Sequence, residues 1–407
     1  MNNLLRRKVV LMPGDGIGGA VLKETVKVLR AVKFECDYVH ADIGWEFWRT
    51  EGNPLPDRTL KSLKENKLSL FGAITSKPKW EAAEELVPRL KNKGLVYYSP
   101  IVGARQSLQL SECIRPCLSF EGNPLNFVRQ KSGGGVEEPP INTVIFRQNT
   151  EGLYAGVEWT NPPKNVRQAF ETHPKFGIFK DVKGEELAIS SRIFTQERCN
   201  SICRAAFEYA KKHGYKRVTI AEKPNVIRET SGMLEKTAYR IGKEYPDIWV
   251  DSNNIDAICM WLTKNPESYG VIIAGNMFGD IISDAFAGLV GGLGFACSAN
   301  IGSEVAIFEP THGSAPKYAS YKTSIVNPIA CILSGAMMLD HVGETHKADL
   351  IRKGIAKVIK DGKYRTYDLL KVKGQQNVIY NGAVSTEDMG SAIVEAIGDV
   401  DSSAKYY

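Results

Sequence analysis

The chain has 407 residues, a length that favours two or three structural units over a single core. Its 43% hydrophobic and 24% charged content is ordinary for a globular protein. The net charge of +6 is spread along the chain, which argues against nucleic acid and suits an anionic small molecule. Neither a membrane-length apolar run nor a secretion signal is visible, so we expect a cytoplasmic protein with no membrane or nucleic-acid partner.

The cysteine pattern predicts buried thiols in a reducing compartment. Eight cysteines occur without a CxxC pair, mostly inside apolar stretches. Cys113/Cys117 and Cys199/Cys203 have helical spacing, but the six scattered histidines complete no zinc pattern. Core packing is therefore the preferred interpretation.

In chain order, short apolar runs alternate with helical patterns. The strand KVVLM precedes a helix over 18–31, and the strand-like CDYVHADIG precedes a helix over 57–66 and the strand LSLFGAIT. From about 115 to 160 the chain becomes β-rich, with NTVIFRQNT and LYAGVEW. Alternation resumes with the helix TQERCNSICRAAFEYAKKHG, the strand RVTIAEK, a helix over 228–244, the strand VIIAG and a helix containing GDIISD. The pattern predicts an α/β protein with a largely parallel sheet.

The glycine-rich turn GDGIGG after the first strand matches G-x-G-x-x-G, with acidic Asp37 about twenty residues on. By rule this is a dinucleotide-binding fingerprint. The motif is short, and a tight strand-to-helix turn needs glycine in any case, so it is weak support for a phosphate site.

Three arginines lie in or beside the β-rich region. Arg105, Arg115 and Arg147 occur in GARQSLQL, CIRPCLSF and IFRQNTEG. Arginine binds carboxylates bidentately, and Arg147 ends an apolar run where an unpaired charge would be costly. A polycarboxylate substrate would supply the anions.

Four further residues suggest metal-assisted chemistry. Asp280 and Asp284 are spaced to share one face of a helix, and the helix start would favour ionised Asp280. Lys223 follows a strand, and Asp256 opens the apolar helix DAICMWL. Each has a plain structural explanation, but together they supply hard oxygen ligands and a proton carrier.

Long motifs resemble one family along almost the whole chain. These are PGDGIG, IRP at 114–116, RQNTEGLYAGVEW at 147–159, EKPN at 222–225, NMFGDIISDAFAGLVGGLG at 276–294 and EPTHGSAPKYA at 309–319. They resemble the metal-dependent β-decarboxylating dehydrogenases, which include isocitrate, 3-isopropylmalate and homoisocitrate dehydrogenases. The chain is most similar to the NADP-dependent isocitrate enzymes.

The resemblance implies an α/β isocitrate/isopropylmalate dehydrogenase-like fold that is not a Rossmann fold, so GDGIGG is not expected to hold phosphate. It implies a large cofactor-binding domain (1–110 and 292–407), a small domain for substrate, metal and dimer contacts (111–151 and 196–291) and a clasp (152–195). A homodimer with shared active sites is expected, in which Lys223 and Asp256 serve the partner's site.

The resemblance also implies the chemistry. Asp280 and Asp284 with the other subunit's Asp256 would hold Mg²⁺ or Mn²⁺, which lowers the pKa of the substrate hydroxyl. Hydride would pass to the nicotinamide, and the β-carboxylate would leave as CO2. Lys223 is expected to accept the hydroxyl proton and Tyr154 to protonate the enolate. Substrate contacts are expected from Ser99, Ile101, Arg105, Arg115, Arg147 and Asn225.

NADP is the expected cofactor. The loop from His312 to Pro316 would hold the nucleotide, and Lys317, Tyr318, Tyr367 and Lys371 resemble the set that grips the 2′-phosphate. An NAD enzyme typically carries an aspartate and an aliphatic residue at the first two of these positions. The full set implied by the resemblance is Thr75, Glu309, His312, Gly313, Ser314, Ala315, Lys317, Tyr318, Val326, Asn327, Tyr367, Asp368 and Lys371.

Substrate choice depends on YYSPIVGAR. Ser99 offers a hydroxyl to a γ-carboxylate, as in isocitrate dehydrogenases, but Ile101 stands where those enzymes have asparagine. Ile101 and Val102 could instead receive an alkyl group, as in 3-isopropylmalate dehydrogenases. We favour isocitrate over 3-isopropylmalate, homoisocitrate or an analogue. A non-catalytic regulatory subunit is less favoured because the catalytic residues are all present.

Overall fold

The computed structural model of the chain describes residues 6–403. Fourteen strands lie in this range, ten in one central sheet and four in two small two-stranded sheets. They are β1 Lys8–Gly14, β2 Asp37–His40, β3 Leu68–Ala73, β4 Glu112–Leu118, β5 Arg129–Gln130, β6 Val136–Glu137, β7 Asn142–Gln148, β8 Glu158–Thr160, β9 Ala188–Ser190, β10 Arg217–Glu222, β11 Trp249–Asn254, β12 Val271–Ala274, β13 Cys297–Ile301 and β14 Ala306–Pro310.

Fourteen α-helices lie in the same range, with several short 3₁₀ turns. They are α1 Gly18–Ala31, α2 Trp45–Glu51, α3 Asp57–Asn66, α4 Lys79–Glu84, α5 Pro100–Ser107, α6 Lys164–Glu171, α7 Gln196–His213, α8 Thr230–Gly242, α9 Ile255–Trp261, α10 Asn276–Leu289, α11 Pro316–Ala319, α12 Ile329–His341, α13 Thr345–Asp361 and α14 Thr386–Ser403. No helix within residues 6–403 combines the length and apolarity needed to cross a bilayer.

The central sheet has the order β11-β10-β12-β7-β4-β13-β14-β3-β1-β2. Six of its nine pairings are parallel, and the three antiparallel ones involve β4 or β13. Two parallel sets of four strands therefore run in opposite directions and meet at β4 and β13. The prediction of a mainly parallel α/β sheet outside the Rossmann class is confirmed, but the antiparallel centre was not foreseen.

Alternate residues of one strand fill different cores, because successive side chains point to opposite faces. Val9 and Leu11 of β1 pack in a cluster with α1, α12, α13 and α14. Val10 and Met12 face a different cluster with α3 and α5. Strand β7 divides its residues in the same way between clusters containing α7 and α8 or α9 and α10. Each half of the sheet is thus covered by helices on both faces.

Most element predictions agree with the structure. The helices over 18–31 and 57–66 have the expected bounds, and the helix expected over 228–244 is α8. In LYAGVEW only the end is a strand, because residues 153–155 form a 3₁₀ turn before β8. All eight cysteines are free and six are buried, although Cys113 and Cys117 share a face of strand β4 rather than of a helix.

The predicted domains correspond to opposite halves of the sheet, with β13 and β14 on the large-domain side and β4 on the small-domain side. The predicted clasp contains the antiparallel pair β8 and β9 with helix α6 between them. The exact division, and the role of the clasp in dimer formation, remain predictions.

Candidate active site

A cavity of about 570 Å³ lies where the two halves of the sheet meet. It is bounded by the loop after β3, by α5, by β4 and by the loop after β14. Nine of the predicted site residues line it: Thr75, Ile101, Arg105, Arg115, Glu309, His312, Gly313, Ser314 and Ala315. The remaining predicted residues lie outside this lining and are described below.

The loop from His312 to Pro316, which we call the HGSAP loop, is held by the turn between β1 and α1. Ser314 accepts a hydrogen bond from the Ile17 amide (3.0 Å) and donates its own amide to Ile74 (3.1 Å). Gly16 has a φ of +57°, and a Cβ at this position would lie 2.1 Å from the Ser314 carbonyl oxygen. The glycines of GDGIGG thus allow close backbone packing beneath the loop.

Asp15, which sequence reasoning missed, organises the same region. Its carboxylate accepts hydrogen bonds from the amides of Trp45 (2.7 Å) and Thr75 (2.8 Å). Burial raises the pKa of Asp15, while the two amide donors oppose that rise. The Thr75 hydroxyl lies 2.7 Å from the Ser314 hydroxyl, so Asp15 supports the loop through Thr75.

Arg105 is buried on α5, and its side chain is held by residues of β13 and β14. Its Nε donates to Asn300 Oδ1 and its Nη2 to Glu309 Oε1, both at 2.9 Å. Asn300 also donates to Glu309 at 2.7 Å. Asn300 is fully buried in the apolar strand β13, and that unusual environment was the signal that could have identified it.

Asp280 and Asp284 do share one face of α10. Nη1 of Arg115 lies 3.3 Å from Asp280 Oδ1 and 3.2 Å from Asp284 Oδ1. Arg147 also forms an ion pair with Asp280. Burial raises the pKa of Asp284, although Arg115 acts in the opposite direction. Two buried arginines and two carboxylates therefore form one compact charge cluster.

The prediction that the helix start favours the ionised form of Asp280 is wrong. Helix α10 begins at Asn276, and its first turn contains no acidic residue. The dipole effect falls off within that turn, so the two arginines are the cations that matter. Gly279 permits the contact, because a Cβ there would lie 2.7 Å from the Cβ of Arg147.

Asn276, also missed from sequence, orients Arg147. Its Oδ1 accepts from Arg147 Nε (3.0 Å) and Nη2 (2.8 Å), and its amide group donates to the Glu151 carbonyl (2.9 Å). Burial, reinforced by the charge of Arg115, lowers the pKa of Arg147 to about 10. An incoming carboxylate would relieve this repulsion.

Tyr154 lies at the edge of the same cluster. The Arg147 guanidinium is 5.8 Å from the centroid of its ring, and the side chain is partly exposed. Desolvation and then the Asp280 carboxylate raise the pKa of Tyr154. The phenol therefore stays protonated at neutral pH, as a proton donor must.

Lys223 and Asp256 form a separate pair. Lys223 Nζ lies 2.5 Å from Asp256 Oδ1, and the Asp256 side chain is 69% exposed. The lysine lowers the pKa of Asp256. Within residues 6–403, Asp256 is the only ion-pair partner of Lys223, so one chain does not join this pair to the cluster on α10.

Two carboxylates one helical turn apart suit a hard divalent cation, which prefers oxygen ligands. The described residues contain no group of three side chains that could hold a metal. Asp280 and Asp284 are a pair of carboxylates that could contribute to such a site. The exposed Asp256 carboxylate is available to another surface.

The remaining predicted cofactor residues cluster beside the HGSAP loop. The rings of Tyr318 and Tyr367 are 5.4 Å apart, and the Lys317 ammonium is 5.5 Å from the Tyr318 ring centroid. Asn327 donates to Asp368 at 3.0 Å. Beside them, Val326 is buried, and the amide of Lys371 donates to the Asp368 carbonyl at 2.9 Å.

Three of the residues predicted to contact the substrate, Ser99, Ile101 and Asn225, have different surroundings. Ser99 precedes α5 and its side chain makes no capping hydrogen bond there. Ile101 is 7% exposed in an apolar cluster and also lines the cavity. Asn225 is exposed in the turn after Lys223, away from the cavity lining.

The cavity wall retains three buried polar atoms without partners in the described residues: Arg115 Nε, Thr311 Oγ1 and His312 Nε2. Burial lowers the pKa of His312, so its ring is neutral at pH 7. Such atoms normally have hydrogen-bond partners, and a polar cofactor in the cavity would supply them.

The sequence profile of the isocitrate/isopropylmalate dehydrogenase family matches residues 8–393. The chain belongs to this family. It is an enzyme family that acts on small polycarboxylates, generally with a nicotinamide cofactor and a divalent metal, and its members typically form dimers.

Individual relatives differ in the substrates that their names give. The chain is 37% identical over 388 residues to Protein DlpA of Legionella pneumophila, covering 95% of this chain but only 58% of that protein. It is 36% identical over 397 residues to the homoisocitrate dehydrogenase of Methanocaldococcus jannaschii, covering 96% and 97% of the two chains. The structure of isocitrate dehydrogenase from Methylococcus capsulatus matches with a TM-score of 0.78 and 36% identity, covering 96% of this chain and 99% of that one.

Proposed function

We propose that the protein catalyses the NADP-dependent oxidative decarboxylation of isocitrate to 2-oxoglutarate and CO2. The observation that carries the proposal is the charge cluster formed by Arg115, Arg147, Asp280 and Asp284 beside the cavity that contains the HGSAP loop. It combines cations for substrate carboxylates with oxygen donors for a metal.

The arginines bind and orient the acid. Arg105 and Arg115 face the cavity, and their side chains are fixed by Asn300 and Ser283 at 2.9 and 2.7 Å. Nε of Arg115 is buried without a partner in the described residues, so it retains a donor for a carboxylate. Preset donors lose little freedom on binding, which favours one orientation of the substrate.

Asp280 and Asp284, with Asp256 of the partner subunit, would hold Mg²⁺ or Mn²⁺. When bound, that ion would make the substrate hydroxyl more acidic and withdraw electrons from the carbonyl that forms. Lys223 of the partner subunit would accept the hydroxyl proton, and Tyr154 would return a proton to carbon after CO2 leaves. A homodimer with shared sites follows from this assignment.

NADP is favoured over NAD by the positive side chains near the Tyr318–Tyr367 pair. Lys317 and Lys371 are exposed, so both can reach a 2′-phosphate. Asn327 and Asp368 would lie on the adenine side. An aspartate at position 317 would repel the phosphate, whereas lysine attracts it.

Another 3-substituted malate is the alternative substrate. Ile101 gives the cavity an apolar wall, which suits the alkyl group of 3-isopropylmalate. The half-buried Ser99 hydroxyl, free of a capping bond, suits a third carboxylate as in isocitrate or homoisocitrate. A regulatory role is less favoured because the arginines, Tyr154, Lys223 and the three aspartates are all present.

A substrate panel tests the proposal. The protein with Mg²⁺ or Mn²⁺ is assayed on isocitrate, homoisocitrate and 3-isopropylmalate, each with NADP and NAD. We expect the highest kcat/KM for isocitrate with NADP and loss of turnover in EDTA. Faster turnover of 3-isopropylmalate would refute the substrate, and activity that survives chelation would refute the metal assignment.

A further inference from the structure

A second cavity, of about 510 Å³, lies on the other face of the central sheet. Strand β4 contributes Ile114, Pro116 and Leu118 to it, whereas Arg115 points into the candidate active site. Strand β14 alternates likewise, with Phe308 in this cavity and Glu309 in the active site. We call it the back cavity; a single layer of backbone separates it from the catalytic residues.

The back cavity leaves part of a central strand uncovered. Ile114, Pro116 and Leu118 are partly exposed, although Cys113 and Cys117 on the opposite face of β4 are buried. Strands in the middle of a layered α/β sheet are normally covered by helices on both faces. Here α7 covers one half and α12 with α13 the other, so the join between them is left open.

Aromatic rings form both walls. On one side, Tyr209 stacks on His213 with ring centroids 4.1 Å apart and lies 6.0 Å from Tyr215. On the other side, Phe308 lies 5.5 Å from His341. Aromatic rings on two sides of an apolar floor suit a flat ring system, because stacked and edge contacts stabilise aromatic pairs.

The charged side chains that line the back cavity differ in whether they already have an ion-pair partner. Arg352 forms ion pairs with Asp340 and, at 3.1 Å, with Asp349, so both acids are already engaged. Burial lowers the pKa of His213 and His341, which are therefore neutral at pH 7. Lys212 has no ion pair in the described part of the chain and is the charge left for a ligand.

We propose that the back cavity binds a small planar aromatic carboxylate, with its ring between the two aromatic walls and its carboxylate paired with Lys212, and that its occupancy alters the active site. The volume lies within the range of small-molecule sites. The site goes beyond the family reaction, since none of its residues takes part in the chemistry proposed above.

The coupling follows from the join between the halves. β13 pairs with β4 through only three residue pairs, whereas β4 pairs with β7 through seven. If one half of the sheet rotates against the other at this join, one cavity widens while the other narrows, because the two cavities lie on opposite faces of the sheet. A ligand in the back cavity therefore biases that rotation and changes the KM for the acid, and the acid changes the ligand's affinity reciprocally.

Naphthalene-2-carboxylate is a suitable probe, and calorimetry on the protein measures its binding without turnover. Met337→Trp fills the back cavity and should weaken binding by about tenfold or more. Lys212→Gln should weaken it about fivefold through loss of the ion pair. Lys211→Gln is the matched control, because Lys211 is the neighbouring lysine on α7 but does not line the cavity. It should leave affinity unchanged.

Four results would overturn the proposal or one of its parts. The first is no binding at millimolar concentration, and the second is equal affinity in wild type and in the filled variants Met337→Trp and Ala299→Leu, which would place the probe elsewhere. Equally tight binding of 2-naphthylmethylamine would refute the charge assignment. The coupling requires that saturating probe changes the KM in the wild type but not in Met337→Trp, and an unchanged KM in both would refute it. Binding is independent of turnover, so failure of the proposed reaction would leave the binding result intact.

Discussion

The two groups of candidate metal ligands have opposite surroundings. Asp280 and Asp284 lie 3.3 and 3.2 Å from the buried Arg115, and we call them the inward pair because of this contact, although the Asp284 side chain is 58% exposed. Asp256 faces outward, is 69% exposed and pairs with Lys223 at 2.5 Å. Burial raises the pKa of Asp284, whereas Lys223 lowers that of Asp256. The inward pair is thus matched with two buried arginines, whereas Asp256 is matched with a lysine at the surface.

This difference suits the proposed site, in which two chains each contribute ligands. The inward carboxylates are balanced by arginines, which also hold the substrate's carboxylates in the proposed reaction. The outward pair consists of the exposed Asp256 and its partner Lys223. We interpret it as a contribution to a neighbouring subunit, which the family's tendency to form dimers supports.

The largest effect is expected from Asp280→Asn, which removes a proposed metal ligand and leaves the Arg115 and Arg147 charges less balanced. We expect kcat/KM to fall by about 10³-fold, the scale of losing several kcal/mol of transition-state stabilisation. Steady-state kinetics and Mn²⁺ binding by EPR measure it. The control is Asp361→Asn, which removes a surface partner of Lys357 and should change neither quantity.

A smaller effect is expected at the cofactor region. The double substitution Lys317→Asp and Tyr318→Ile should reduce the NADP-over-NAD preference by roughly 10- to 100-fold, because an attractive charge becomes repulsive. The measurement is the ratio of kcat/KM values for the two nucleotides. Lys322→Asp is the matched control, since it changes the charge of an exposed lysine nearby. An unchanged ratio in the double variant would place the phosphate elsewhere.

Ile101→Val tests whether the cavity wall formed by α5 is tightly packed. Ile101 is 7% exposed in an apolar cluster, so loss of one methylene should cost about 1 kcal/mol of unfolding free energy. Val102→Ala on the exposed side of the same helix should cost clearly less. Urea denaturation of the two variants measures the difference, and equal costs would contradict the burial of Ile101.

The mildest prediction concerns pH. Burial raises the pKa of Asp284, so on acidification this carboxyl should protonate above the ordinary aspartate value of 3.8. The Asp256 pKa is lowered, so it should remain ionised below 3.8. Carbon-13 NMR of the side-chain carboxyls, assigned with Asp→Asn variants, gives the order of titration. The reverse order would contradict the inward and outward description.

Much of the fold was predictable because it follows local patterns. The bounds of α1 and α3 and the shared face of Asp280 and Asp284 follow from helical periodicity. The antiparallel join of β4 and β13 was not predictable, because strand order depends on long-range packing that leaves no periodic signal. Local patterns therefore gave the elements but not their arrangement.

The residues of the candidate site were likewise only partly predictable from the sequence. The arginines and aspartates could be found because charge in apolar surroundings is conspicuous in a sequence. Asn276 and Asn300 were missed because an amide has ordinary roles at helix starts and in strands, and only the folded chain reveals that each one holds an arginine. Asp15 was missed because it lies inside a motif whose glycines suggested another function.

Subunit mixing tests the central claim most directly. Asp256→Asn and Asp280→Asn proteins, each inactive alone, are combined under conditions that exchange subunits, and mixed dimers are verified by differential tags. If inward and outward halves from two chains form each site, one site per mixed dimer is intact, and a random mixture should recover about a quarter of wild-type activity. Verified mixed dimers that remain inactive would contradict the shared site.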